Sequence, residues 1–240
     1  MSRYVVQAGW DHAPHLSEKD KADMLASLPP HQRDARTKGI PSLGSGAIYP
    51  IAEEEVICDP FIIPAYFARL YGLDVGWNRT AAIWGAVDRD NDIIYCTSEH
   101  YRGQAEASIH ASAIRSRGDW VPGVIDTAAR GRSQTDGSSL WDQYEELGLH
   151  IYKADKAVEA GIMAVYERLS TGRLKIFSTL QNTRKEYRIY RRDDKGRIVK
   201  ENDHLMDALR YLVMGIEHAK TKPIKQATVR YQAADNTTGY

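Results

Sequence analysis

Three aspartates lie in or beside apolar segments of this chain. Asp74 lies within the run Leu70–Trp77, Asp126 ends the run Val121–Asp126, and Asp207 lies in a helical pattern near the C-terminus. An unpaired buried carboxylate costs several kcal/mol or becomes protonated, so charges are rare in core-forming segments. Bound Mg²⁺, which prefers oxygen ligands, would remove that cost. The pattern therefore predicts a metal site made of carboxylates.

Asp74 has a glycine two residues away on each side, at Gly72 and Gly76. Strand alternation places these three residues on one face, while Leu73 and Val75 face the other way. The two glycines leave room for a ligand or its backbone beside the carboxylate. The alternative is an aspartate that binds a nearby amide at a strand end.

Asp126 closes a continuous apolar run, which is typical of a strand buried on both faces. Sites in open α/β sheets gather at the carboxyl ends of such strands. The alternative is a common Asx-turn that leads into the following loop. Its pairing with Asp74 favours the metal interpretation.

The C-terminal helical pattern carries Asp203, His204 and Asp207. Asp203 and Asp207 are four residues apart and share a face. The alternatives are ordinary for a helix: Asp203 or Asn202 caps its N-terminus, and Asp207 is solvated or paired with Arg210.

Together, these carboxylates are suited to two-metal phosphodiester hydrolysis. Asp74 would bridge two ions about 3.5–4 Å apart that hold the scissile phosphate. One ion would generate the attacking hydroxide and the other would stabilise the leaving 3′ oxygen. Asp126 and Asp207 would complete the coordination, with water in the remaining positions.

The hydrophobic periodicity predicts a mixed sheet with helices on both faces and an additional β-hairpin. The hairpin is expected from Glu186–Arg192 and Arg197–Val199 around a turn at 193–196. Predicted strands are 70–76, 80–88, 93–100, 121–126, 150–153 and 174–177; predicted helices are 17–27, 105–116, 139–147, 156–170 and 203–218. This succession is the ribonuclease H-like order.

We expect three parts along the chain. Residues 1–66 lack a clear core and form a linker or packed-on arm, residues 67–218 form the domain, and residues 219–240 form a flexible tail.

Composition excludes few function classes. Lys plus Arg and Asp plus Glu both total 32, so the net charge says nothing about an acidic partner. The only cysteines, Cys58 and Cys96, lack the spacing of metal ligands, so they are expected to be reduced thiols in an intracellular compartment. No apolar stretch is long enough for a membrane span or a signal peptide. A cytoplasmic location is therefore expected. Phosphate-loop, zinc-protease and serine-hydrolase motifs are missing.

A basic segment near the C-terminus interleaves cations with tyrosines, which could follow a phosphate backbone or form a solvated edge. The candidate DNA-binding residues are Arg184, Lys185, Arg188, Arg191 and Arg192.

Three segments carry a resemblance to a known family. They are Gly72-Leu-Asp-Val-Gly-Trp77, Val124-Ile-Asp-Thr-Ala128 through Arg130-Gly131, and Glu201-Asn-Asp-His-Leu-Met-Asp-Ala-Leu-Arg-Tyr211. In this order and spacing the chain resembles the C-terminal nuclease domain of the large terminase subunit of tailed double-stranded DNA phages, over roughly residues 67–218.

The resemblance implies a ribonuclease H-like fold and metal-dependent cleavage of concatemeric DNA during headful packaging. It implies Asp74, Asp126 and Asp207 as metal ligands, with Asp203 and His204 beside them, and two Mg²⁺ or Mn²⁺ ions. Implied partners are double-stranded DNA, the ATPase domain of the full-length subunit, the small subunit and the portal protein, in the cytoplasm of an infected bacterium. Residues 1–66 would be the end of the missing ATPase motor, so this chain is not expected to hydrolyse ATP.

Two other functions remain open from the sequence. Asp74-x-Gly76 followed by Thr80 also resembles the first phosphate loop of actin-like ATPases and sugar kinases, although that fold needs a second similar domain. Alternatively, the acids are structural and the protein is a non-catalytic DNA-binding or docking module.

Overall fold

A seven-stranded mixed sheet forms the centre of the protein. The computed structural model describes residues 10, 16–27, 37, 46–126, 139–193 and 195–223. The strand order across the sheet is β1-β7-β4-β3-β2-β5-β6. The strands are β1 (Ile57–Cys58), β2 (Ala68–Asp74), β3 (Thr80–Asp88), β4 (Ile93–Arg102), β5 (Gly123–Ile125), β6 (Ile151–Lys153) and β7 (Leu174–Phe177).

Strand β3 alone runs against the rest of this sheet. It pairs antiparallel with β2 and β4, whereas β5 and β6 continue parallel from β2, and β7 and β1 continue parallel from β4. The carboxyl ends of β2 and β5 consequently lie at the same edge. This topology confirms the predicted mixed sheet.

Helices cover both faces of the sheet, as predicted. They are α1 (Glu18–Ser27), α2 (Glu53–Val56), α3 (Ala107–Arg115), α4 (Leu140–Glu146), α5 (Val158–Ser170), α6 (Gln181–Ile189) and α7 (His204–Met214), followed by a 3-10 turn at Ile216–His218.

Alternation along β2 separates two cores. Leu70 belongs to the larger core, which packs against α5, α6 and α7, whereas Tyr71 and Leu73 belong to the smaller core under α3 and α4. Gly72, on the first of these faces, lies directly against α7. The Asp74 side chain, two residues on, projects toward the same helix.

The prediction of a strand at Glu186–Arg192 is wrong, because residues 181–189 form helix α6. Thr183, Glu186, Tyr187 and Tyr190 are buried, and their spacing is helical. A glutamate at a buried position concealed that stripe in the sequence. The expected hairpin is reduced to one bridge, in which Arg192 pairs antiparallel with Ile198 across the turn.

Part of the predicted arm lies within this architecture. Ile48, Tyr49 and Val56 pack in the larger core, and β1 pairs with β7. The division at residue 66 stays a prediction. Residues 127–138, including the Thr127-to-Gly131 part of the second motif, and residues 224–240 lie outside the described part. Within the described part, no helix is long and apolar enough to cross a membrane.

Candidate metal centre

Asp74 and Asp126 lie side by side at one edge of the sheet. Leu73 of β2 pairs with Ile125 of the parallel strand β5. Asp74 and Asp126 are the residues that follow this pair, one in each segment of the chain. Both side chains are partly exposed at this edge. The placement fits the rule that sites form at the carboxyl ends of parallel strands.

Gly72 allows helix α7 to approach this edge. A Cβ atom at Gly72 would lie 1.9 Å from the backbone oxygen of Ala208 and 3.0 Å from the backbone nitrogen of Leu212. No larger residue fits between β2 and α7. The backbone that comes close at this glycine belongs to the helix that carries Asp207.

Tyr211 is a buried residue of α7 whose pKa responds to all three predicted ligands. It lies one turn after Asp207 on α7 and is buried. Burial raises the pKa of the Tyr211 hydroxyl, and the negative charges of Asp207, Asp74 and Asp126 raise this pKa further. The charges of Asp207, Asp74 and Asp126 thus all act on this one hydroxyl.

Each of the acids has a basic neighbour. His204 Nδ1 lies 2.9 Å from Asp74 Oδ2, and Lys156 Nζ lies 3.8 Å from Asp126 Oδ1. The remaining two acids share a lysine: Lys200 Nζ lies 3.0 Å from Oδ2 of both Asp203 and Asp207, and Arg210 Nη2 lies 3.1 Å from Asp207 Oδ1. Asp203 and Asp207 thus share a face, as predicted, and the Arg210 pairing considered for Asp207 is present.

The Asp74 carboxyl has a perturbed acidity. Burial raises its pKa, the hydrogen bond with His204 opposes that shift, and the negative charge of Asp207 adds to it. The same hydrogen bond raises the pKa of His204. Asp74 and His204 therefore form one coupled unit at the end of β2.

The carboxylates have the right chemistry for a hard cation, but their side chains are oriented by protein cations. Among the residues that the structure describes, no three His, Cys, Asp or Glu side chains are grouped closely enough to hold a metal ion. The backbone brings Asp74, Asp126 and Asp207 to one edge. His204 contacts the oxygens of Asp74, Lys156 those of Asp126, and Lys200 and Arg210 those of Asp207. A divalent ion would therefore bind by exchange with these partners, and the roles of the acids stay a prediction.

The sequence interpretation missed a buried acid that positions α7. Asp203 occupies the N-cap position, yet its side chain makes no capping hydrogen bond. Instead, Leu205 N–H donates to Glu186 Oε2 at 2.6 Å. Burial raises the pKa of Glu186 to about 7, while hydrogen bonds from Tyr101 and Leu205 oppose the shift. The signal was the helical spacing of Thr183, Glu186 and Tyr187.

Three of the five predicted DNA-binding cations already have acidic partners. Arg184 and Arg188 both bind Glu53, and Arg192 Nη2 lies 2.6 Å from Glu159 Oε2. A phosphate would have to compete with these carboxylates. Lys185 and Arg191 show no ion pair within the described part of the chain, so they are the better candidates of the set.

Comparison with known proteins identifies the family. The family model described as the terminase RNaseH-like domain matches residues 71–215. The chain is 32% identical over 220 residues to the large terminase subunits of Enterobacteria phage LP7 and Salmonella phage P22, covering 88% of this chain and 46% and 44% of those proteins. It thus spans less than half the length of these relatives.

Solved structures agree with this assignment. The P22 large terminase nuclease domain superposes with a TM-score of 0.68 at 31% identity, over 74% of this chain and 96% of that domain. The large terminase nuclease of the thermophilic phage G20c, solved with bound magnesium, shares the fold with a TM-score of 0.53 at 12% identity, over 71% of this chain and 97% of that one. The matching part of the P22 protein is its nuclease domain rather than an ATPase. The chain belongs to the terminase RNaseH-like domain family.

Proposed function

We propose that this chain is a metal-dependent endonuclease that cleaves concatemeric double-stranded viral DNA during headful genome packaging. The observation that supports the proposal is the position of Asp74 and Asp126 at the carboxyl ends of the adjacent parallel strands β2 and β5, next to α7, the helix that carries Asp207 and whose His204 contacts Asp74. Three carboxylates from separate elements at one sheet edge suit a hard cation and a phosphate. The resemblance to terminase nuclease domains supports the same chemistry.

The protein groups have separable roles in this proposal. Asp74 and Asp126 would hold Mg²⁺ or Mn²⁺ from the sheet, and Asp207 would hold it from α7. Asp203 and His204 lie beside them and orient the set through Lys200 and Asp74. The bound metal would supply an activated water and neutralise charge on the phosphate. The chain's contribution is to fix these oxygens at one edge.

We further propose that two ions bind. The support is the number of carboxylates: Asp74, Asp126, Asp203 and Asp207 supply eight oxygens, enough to share between two ions with added water. Titration with Mn²⁺ followed by electron paramagnetic resonance should show two ions per chain. A stoichiometry of one would remove the two-ion mechanism but not the nuclease activity.

A nuclease assay tests the main proposal. The purified chain should nick and linearise plasmid DNA in Mg²⁺ or Mn²⁺ with little sequence preference. Asp74→Asn and Asp126→Asn should each abolish cutting, whereas Asp119→Asn, an exposed aspartate after α3, should cut normally. Circular dichroism must show an unchanged fold for each variant. A wild-type chain that cuts in neither metal would refute the proposal.

The partners are proposed on the same basis. The relatives are large terminase subunits about twice as long as this chain, so we propose that an ATPase domain precedes the nuclease in the full-length protein. We propose the small subunit and the portal protein as further partners. Co-purification of a full-length subunit with each, with and without residues 67–218, tests these contacts.

The alternatives make different predictions. Family membership leaves no support for the actin-like ATPase interpretation, and ATP should not bind this chain. If the protein is a non-catalytic DNA-binding module, Asp74→Asn will leave any plasmid nicking unchanged, because contaminating activity does not depend on this residue.

A further inference from the structure

Trp77 is an exposed aromatic residue beside the candidate metal centre. Its side chain is 67% exposed, whereas Trp84 and Trp141 are 4% and 5% exposed. It follows Asp74 by three residues, so their Cα atoms are at most about 10 Å apart. An exposed aromatic side chain this close in sequence to the candidate metal centre is a candidate stacking surface for a base.

The backbone of the loop that carries Trp77 is held by three contacts. Gln104 N–H donates to the Trp77 carbonyl oxygen at 2.8 Å, and Thr80 Oγ1 donates to the Gly76 carbonyl oxygen at 3.1 Å. At Gly103 a Cβ atom would lie 1.9 Å from the Asn78 carbonyl oxygen, so that backbone packs directly on the loop. The indole is exposed although its backbone is anchored.

Two arginines lie close to Trp77 along the chain or across the β3–β4 pair. Arg79, two residues on, places its guanidinium 4.3 Å from the centre of the Tyr101 ring. Arg102 pairs with Thr80 across the hairpin and is exposed. The acids at the site repel phosphate, so neighbouring cations are needed to hold a nucleic-acid backbone there.

An exposed aromatic side chain together with nearby cations is the combination that binds unpaired nucleotides. Bases stack on the ring while the cations contact phosphates, and each stacked base changes affinity by roughly 5- to 150-fold. Within an intact duplex the faces of a base are covered by its neighbours. An indole therefore has access to a base only where the strand is unpaired or unstacked.

We propose that Trp77 stacks on an unpaired nucleobase next to the scissile phosphate, while Arg79 and Arg102 contact the adjoining phosphates. The proposal rests on the nuclease function and names the DNA form that the site prefers. Duplexes with a locally unpaired base near the cut should be bound more tightly than fully paired ones. Trp77 is thus a positioning residue for the strand that is cut.

Binding can be measured separately from cleavage. In the Asp74→Asn background with EDTA, 30-base-pair duplexes carrying 2-aminopurine either unpaired or paired report stacking by fluorescence quenching. The unpaired duplex should bind about tenfold more tightly than the paired one, and its fluorescence should be quenched. Trp77→Phe should retain both effects and Trp77→Ala should lose both.

Tyr66 provides a matched control. It is 69% exposed and precedes β2 at the end opposite Asp74, roughly 20 Å or more away along the strand. Tyr66→Ala should leave the binding preference unchanged. It should also leave plasmid cleavage in Mn²⁺ unchanged in the chain with Asp74 intact.

With Asp74 intact, Trp77→Ala should slow plasmid cleavage in Mn²⁺ about tenfold, and Trp77→Phe should slow it less than twofold. If Trp77→Ala keeps the wild-type binding preference and the wild-type cleavage rate, the stacking proposal is overturned, while the nuclease function stands. A wild-type chain that cuts no DNA but still quenches 2-aminopurine would instead refute the nuclease function alone.

Discussion

Substitution of Gly72 by alanine tests whether close packing of α7 on β2 builds the candidate metal centre. The added Cβ atom would lie 1.9 Å from the Ala208 backbone oxygen, about 1.5 Å short of ordinary van der Waals contact. The atoms that the Cβ would meet, in Ala208 and Leu212, belong to the main chain, so no side-chain rotation relieves the clash. The helix must move away from the strand.

The magnitude follows from the nature of the clash. Overpacking a core typically costs about 1–3 kcal/mol, and a backbone-on-backbone clash belongs at the upper end, so we expect a loss of about 3 kcal/mol in the free energy of unfolding. A displacement of about 1 Å in catalytic groups can cost on the order of 10²-fold in rate. Gly72→Ala should therefore reduce plasmid cleavage by about that factor in the fraction that remains folded.

Gly85 provides a matched comparison under the same helix. A Cβ atom there would meet the Cδ atoms of Leu212 at 3.0 Å, and that flexible side chain can turn aside. Gly85→Ala should cost less than about 1 kcal/mol and keep most of the cleavage activity.

The assay is urea unfolding followed by circular dichroism, with the free energy taken from midpoint and slope. Cleavage is then measured in buffer without urea, in which the folded fraction of each variant is known from the unfolding curve. If Gly72→Ala is as stable and as active as Gly85→Ala, close packing at this glycine does not position the aspartates.

Three further predictions address charge. Burial raises the pKa of Glu186 to about 7, above its ordinary value of 4.5, so its contribution to stability is complete below about pH 4.5 and is lost as the pH rises to about 7. Glu186→Gln should remove roughly 3 kcal/mol of this pH dependence in urea unfolding. An unchanged pH dependence would contradict the raised pKa of Glu186. Lys200→Ala should lower the Mn²⁺ concentration needed for half-maximal thermal stabilisation several-fold, because Lys200 Nζ competes with the metal for two carboxylates. The control Lys195→Ala, in the exposed turn, should leave that concentration unchanged. If both variants change it equally, Lys200 does not compete with the metal. Replacing Lys185 and Arg191 by glutamate should weaken DNA binding and reduce the salt slope by about one for each residue; binding unaffected by both changes would move the DNA contact elsewhere.

The sequence predicted those elements whose burial follows a simple period. Strands β3 and β7 have the predicted bounds, residues 80–88 and 174–177, because each is a short apolar run between polar turns. Strand β1 was missed since two residues carry no period and their pairing with β7 depends on a partner more than a hundred residues away. Helix α6 was misassigned because its buried stripe includes Glu186.

The candidate metal centre also has features that the sequence predicts and features that it does not. The adjacency of Asp74 and Asp126 could be predicted, because parallel strands end at a common edge. The partners of the acids could not be predicted, since Lys156, Lys200 and the capping carboxylate of Glu186 carry no local motif. Their roles arise only when α5, α6 and α7 pack against the sheet.

Charge balance explains how four acids can lie together at this edge. Asp126 has Lys156, Asp203 and Asp207 share Lys200, and Asp207 also has Arg210. The exception is Asp74, whose partner is a histidine with a raised pKa rather than a permanent cation.

Burial raises the pKa of Asp74 as well, so this carboxylate gains most from a divalent ion, while the other acids must exchange a lysine or an arginine for it. We therefore expect Asp74→Asn to weaken Mn²⁺ binding more than Asp203→Asn, measured by the same thermal shift. The opposite order would place the principal metal ligand on α7 rather than on β2.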